Sequence, residues 1–119
     1  MTAPDDRHRG PRPVGVVRGR DAIQMRDLLA ELCLVPSPSR SERAIADDLV
    51  RRFEALGASV FEDDAAVTTD GTAGNVIAVL PGGLPRRIAL AAHMDTVPLV
   101  EGEPLDVVRD GSKLRSTGN

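Results

Sequence analysis

Two residues of this 119-residue chain carry the clearest chemical potential, His93 and Asp95 in the segment Arg87-Ile-Ala-Leu-Ala-Ala-His93-Met-Asp95-Thr-Val-Pro98. Neutral imidazole is the commonest protein ligand for zinc. A metal-bound histidine usually donates its second ring N–H to a carboxylate or carbonyl, which fixes its tautomer and orientation. A His-x-Asp pair can therefore supply a ligand and its supporting carboxylate together. The same spacing also fits a surface histidine at a strand-to-loop junction, with Asp95 capping a nearby amide.

The elements that must position this pair are readable around it. Ile88 to Ala92 is a short apolar run and predicts a buried strand. Side chains alternate faces along a strand, so His93 and Asp95 leave on the same side. Pro98 cannot continue a central strand. The expectation is an imidazole and a carboxylate at the carboxyl end of a strand, where open α/β sheets bind ligands.

Upstream, Met25, Leu28, Leu29, Leu32 and Cys33 recur at helical spacing and predict a first helix with an apolar face, N-capped by Asp21. Pro36 and Pro38 end it and push the residues before them towards extended geometry. Ser39 and Glu42 form a capping-box pattern that opens a second helix, with Ile45, Leu49, Phe53 and Leu56 on its apolar side. Asp47 with Arg51 and Asp48 with Arg52 stand at i,i+4 on the solvated side, and Gly57 sits where a C′ glycine belongs. Strands are expected at 58–62, 75–80 and 88–92. A turn is expected at Asp70-Gly71, and a hairpin pairs Val107-Val108 with Lys113-Leu114 about Asp110-Gly111.

Composition excludes several functions. Hydrophobic residues make up 41% and charged residues 28%, as in a soluble globular domain. Aromatic residues make up only 2%, with no Trp or Tyr, so there is no stacking platform for single-stranded nucleic acid. Residues 1–20 carry five arginines against two aspartates and read as a flexible basic arm, which leaves the rest of the chain acidic within a net charge of −3. An acidic body argues against nucleic acid as a partner. No run is long enough for a membrane helix and no signal-peptide core follows the start, so a cytoplasmic location is expected. Cys33 is the single cysteine, which excludes an intrachain disulfide and reads as a core residue.

From about Asp21 to Asn119 the chain resembles a family of zinc metallopeptidases and deacylases. This family includes peptidase T, carboxypeptidase G, acetylornithine deacetylase, succinyl-diaminopimelate desuccinylase and the aminoacylases. The resemblance is carried by "MRDLLAELCLVPSPS", "SERAIADDLVRRFEALGASV", "GNVIAVLPG", "IALAAHMDTVP" and "VVRDGSKLRSTGN", in that order. Its specific element is "HMDTVP" behind an apolar strand, with "GNVIA" just upstream.

The resemblance implies an α/β fold, with residues 21–119 as the incomplete amino-terminal part of a zinc-exopeptidase-like mixed-sheet catalytic domain. It implies His93 as a ligand to one ion of a two-zinc centre, and Asp95 as the catalytic-site carboxylate that holds the His93 ring. It further implies hydrolysis of amide bonds in small peptides or N-acyl amino acids, with homodimerisation an option for a full-length form. The ending "LRSTGN" looks more like the peptidase T side of the family.

In that family a metal-bridging aspartate and a pair of adjacent glutamates follow later. Here the adjacent acidic runs are Asp5-Asp6, Asp47-Asp48 and Glu62-Asp63-Asp64, and none follows His93. The other histidine is His8, in the basic arm. Glu101, Glu103 and Asp106 follow the motif and read as rim charges. A catalytic zinc takes three protein ligands, so the isolated chain is expected to be inactive. The alternative reading is a non-catalytic α/β fragment or interaction module.

Overall fold

The computed structural model describes residues 19–83 and 85–117. Its elements are α1 (Gly19–Cys33), α2 (Arg43–Ala55), β1 (Ser59–Glu62), α3 (Ala65–Thr69), β2 (Val76–Val79), β3 (Asp106–Asp110) and β4 (Lys113–Thr117). The strands form two separate two-stranded sheets, β1 with β2 and β3 with β4, both antiparallel. Helices and strands are thus mixed as expected. The large mixed sheet, however, does not occur among the described residues.

α1 begins at Gly19, so Asp21 lies inside the helix rather than at its cap. The basic arm falls outside the described residues except for Gly19 and Arg20. The predicted apolar face is mostly uncovered: Met25, Leu28 and Leu29 are exposed, Cys33 is half-buried, and only Ala30 is buried. The helix is held to the β3–β4 hairpin by polar contacts instead. Arg26 Nη1 donates to the Gly111 carbonyl at 3.1 Å, and Arg109 pairs with Asp27 at 2.7 Å. The hairpin turn falls at Gly111-Ser112, one residue later than expected, because Asp110 pairs with Lys113. Gly111 adopts φ +56°, at the first central position where a two-residue hairpin turn favours glycine.

The packed centre lies between α2 and the β1–β2 ribbon. Ile45 and Ala46 are buried at 5% and 0% exposure, while Leu49 and Phe53 are half-buried. α2 ends as predicted at Gly57, φ +81°, in a Schellman arrangement: Ala58 N–H donates to Phe53 O at 3.0 Å and Gly57 N–H to Glu54 O at 2.8 Å. On its polar side Asp48 holds both Arg52 at 2.6 Å and Arg51 at 2.9 Å. The expected Asp47–Arg51 pair is replaced by Asp47 with Arg43 at 2.8 Å. Arg51 pairs instead with Asp48, one residue nearer, at i,i+3.

The acidic run Glu62-Asp63-Asp64 is used structurally. Glu62 accepts a bidentate pair from Arg43 of α2, at 2.9 and 2.7 Å, and the Gly74 N–H at 2.8 Å. Asp63 accepts Asn75 N–H at 2.7 Å, Asn75 Nδ2 at 2.8 Å and Ala65 N–H at 3.1 Å. The Arg43 guanidinium first, then the Gly74 amide, hold the Glu62 carboxyl below its usual range. The Asn75 side chain and the Asn75 and Ala65 amides do the same for Asp63. Because Asp63 takes the Ala65 N–H, the chain turns at once into the short α3 rather than an open loop. Asp70, φ +54°, then ends α3, so the expected Asp-Gly turn serves as a helix stop.

Ile88 to Ala92 forms no strand among the described residues. Ile88 is 86% and Leu90 95% exposed, which corrects the expectation of a buried strand. The run has the composition of a central strand, but neither ribbon pairs with it, and a strand exists only through a ladder partner.

Two predictions follow from the ribbon. A Cβ at position 74 would stand 2.0 Å from the Asp63 carbonyl oxygen. Gly74→Ala should therefore lower stability by about 1–3 kcal/mol, the usual cost of overpacking, measurable by denaturant unfolding. The second concerns pH. Glu62 and Asp63 have depressed folded-state values, so their stabilisation is present above the unfolded carboxylate range near pH 4 and is lost as pH falls through the folded values. Thermal midpoints scanned downwards from pH 7 should fall steeply below about pH 4. Glu62→Gln should flatten that dependence.

Candidate functional site

The prolines set up the site. Pro36 and Pro38 favour extended backbone at Val35 and Ser37. That stretch runs alongside the His93 segment in a single parallel bridge, Pro38 with Thr96. Thr96 N–H donates to the Ser37 carbonyl at 2.8 Å, and Ser37 itself is 2% exposed. The otherwise unpaired segment is thus fastened just after Asp95.

His93 and Asp95 are brought together as their spacing predicts. His93 Nδ1 lies 3.1 Å from Asp95 Oδ1. The second carboxylate oxygen, Oδ2, accepts a hydrogen bond from the Ser39 hydroxyl. The Ser39 hydroxyl, ahead of the His93 ring, holds the Asp95 carboxyl below its usual range. Asp95 is therefore an ionised acceptor at neutral pH and orients the imidazole with Nδ1–H towards it. The Nε2 lone pair then points away from the pair, and the His93 side chain is 94% exposed. This is the arrangement that an imidazole needs to act as a metal ligand through Nε2.

A broad cavity of about 800 Å³ opens beside the ring, lined among others by Ser39, Arg40, Glu42, Thr68, Asn75 and Asp95. The remaining candidate acids do not complete a centre. Glu101 and Glu103 are exposed in a loop, and Asp106 accepts the Val107 N–H at 2.7 Å. Among the described residues no group of three His, Cys, Asp or Glu side chains could hold a metal ion. His8 lies outside them. The described residues thus offer a supported imidazole at His93 and no complete metal centre.

Ser39 is the contact that sequence reasoning assigned elsewhere. In the expected capping box it would bond to the start of α2. Instead Thr72 Oγ1 accepts the Arg43 N–H at 3.0 Å, and Glu42 Oε1 accepts the Arg40 N–H. The Ser39-to-Glu42 pattern is identical for either use, and the difference is set by Thr72, which approaches from a distant part of the sequence.

Comparison with known proteins finds partial relatives. The chain is 37% identical over 87 residues to succinyl-diaminopimelate desuccinylase of Corynebacterium glutamicum, covering 71% of this chain and 21% of that protein. It is 40% identical over 72 residues to a Pyrococcus furiosus protein assigned by inference as a LysW-lysine/LysW-ornithine hydrolase, covering 60% of this chain and 19% of that protein. It is also 35% identical over 89 residues to the uncharacterized protein YqjE of Bacillus subtilis, covering 74% and 24% respectively. The matches span between about a fifth and a quarter of the length of these curated relatives. No family model and no solved structure matches the chain.

Proposed function

We propose that this chain contributes a histidine arm to the zinc centre of a hydrolase that cleaves amide bonds in N-acylated amino acids or small peptides. The observation that carries this reading is His93, whose Nδ1 is held by an ionised Asp95 while Nε2 is left free and exposed. The names of two relatives, a desuccinylase and a LysW-lysine hydrolase, support the amide-hydrolase class. The ending "LRSTGN" supports the peptidase T side of that class.

Each residue has a defined part. His93 binds through Nε2. Asp95 keeps the proton on Nδ1 and raises the basicity of the ring. A bound zinc ion supplies Lewis acidity towards a carbonyl and lowers the pKa of a water. A catalytic zinc takes three protein ligands, so a working centre needs ligands beyond the described residues.

Calorimetric titration of the chain with zinc at neutral pH tests this, with His8→Ala as background. Weak single-site binding, as one imidazole gives, is expected, abolished by His93→Ala and weakened further by Asp95→Asn. An isotherm unchanged by His93→Ala overturns the assignment and leaves the chain as a non-catalytic interaction module.

A further inference from the structure

Ser39 stands in a turn whose backbone is bent out of the ordinary. Arg40, the next residue, adopts φ +73°, a left-handed conformation that glycine takes freely and a side chain resists. Such an outlier persists only where its surroundings enforce it. The surroundings here show what is enforced. Arg40 N–H is taken by Glu42 Oε1, and the first amide of α2, Arg43 N–H, is taken by Thr72. α2 begins at Arg43 with Glu42 at its N-cap position, so the capping box centred on Ser39 does not form. Ser39 is thereby released from the helix, and its hydroxyl turns to Asp95 Oδ2.

The consequence lies in the torsion of a carboxylate. The terminal torsion of aspartate is broad and roughly two-fold, so a single hydrogen bond to His93 leaves the carboxylate plane loosely set. A second bond on the opposite oxygen fixes it. Ser39 supplies that bond from a backbone that is itself anchored, since the buried Ser37 accepts the Thr96 N–H at 2.8 Å.

We propose that Ser39 is a positioning residue of this site: it locks the Asp95 carboxylate, and through it the Nδ1–H tautomer of His93. The left-handed Arg40 is the turn that delivers it. This inference rests on the reading of His93 as a ligand through Nε2, and it assigns a residue that acts on the ligand without touching metal or substrate.

The test is nitrogen-15 NMR of the His93 ring in the metal-free chain at alkaline pH, where imidazole is neutral. The intact chain should show the Nδ1–H tautomer as the major form. Ser39→Ala should lower the ratio of Nδ1–H to Nε2–H several-fold, because the carboxylate plane is then loosely set. Ser39→Thr, which keeps the hydroxyl, should retain the intact ratio. Arg40→Gly should retain it too and raise the thermal midpoint, because the left-handed strain is removed while Ser39 stays in place. A major Nε2–H form in the intact chain overturns the proposal without any variant, so a Ser39→Ala that fails to fold does not protect it. An unchanged ratio in a folded Ser39→Ala overturns it as well. If zinc binding depends on His93 but the tautomer ignores Ser39, this inference alone fails. If His93→Ala leaves zinc binding intact, the reading of the site fails instead.

Discussion

One backbone hydrogen bond, from Thr96 N–H to the Ser37 carbonyl, joins the helical half of the chain to the segment that carries His93. Apart from the Ser39 hydroxyl on Asp95, it is what relates Ile88 to Asp95 to α2, since neither sheet pairs with that stretch. The bond works because its acceptor is unusually well placed. Two prolines set the backbone around Ser37, and burial of Ser37 removes water as a competitor. The Ser39–Asp95–His93 series hangs on this point. A rotation there would part the hydroxyl from the carboxylate long before it disturbed α2 or the β1–β2 ribbon.

The chain uses its carboxylates in two ways. Glu62 and Asp63 spend every oxygen on amides and a guanidinium, closing the β1–β2 ribbon onto α2. Their role is complete within the fold. Asp95 also has both oxygens engaged, but one of them holds a ring whose other nitrogen stays exposed. A carboxylate that terminates in an open lone pair does something that a closed network does not. This separates the acidic run at 62–64 from the His-x-Asp pair more sharply than charge alone could.

Local signals in the sequence were faithful where the interaction partner is local. Gly57 stops α2 because a left-handed residue is needed at the C′ position, just past the C-cap Leu56, and the sequence shows it directly. The same-side exit of His93 and Asp95 needs only the two-residue repeat. The failures that bear on the site involve a distant partner. Ser39 was legible as a cap, but Thr72 takes the helix amide. Ile88 to Ala92 was legible as a buried strand, but burial and pairing belong to neighbours that periodicity cannot specify. Asp63 was legible as one acid in a run, while the two of its three donors that come from Asn75 depend on the return of the chain there.

The exposed apolar groups are arranged with a logic that bears on the site. Ile88 and Leu90 precede His93, and Met25 and Leu29 line a groove of about 520 Å³ between α1 and Leu114 of the hairpin. The α2–ribbon unit, by contrast, buries Ile45 and Ala46. Stability should therefore be concentrated in that unit, with local opening easiest where buried contacts are fewest. The histidine sits on the weakly held side of this boundary and Ser39 on the firm side. Asp95 spans the two. The geometry of the ligand is thus set from the firm side by one hydroxyl and one amide, and this is why a residue with no direct access to a metal can govern the ring that would bind it.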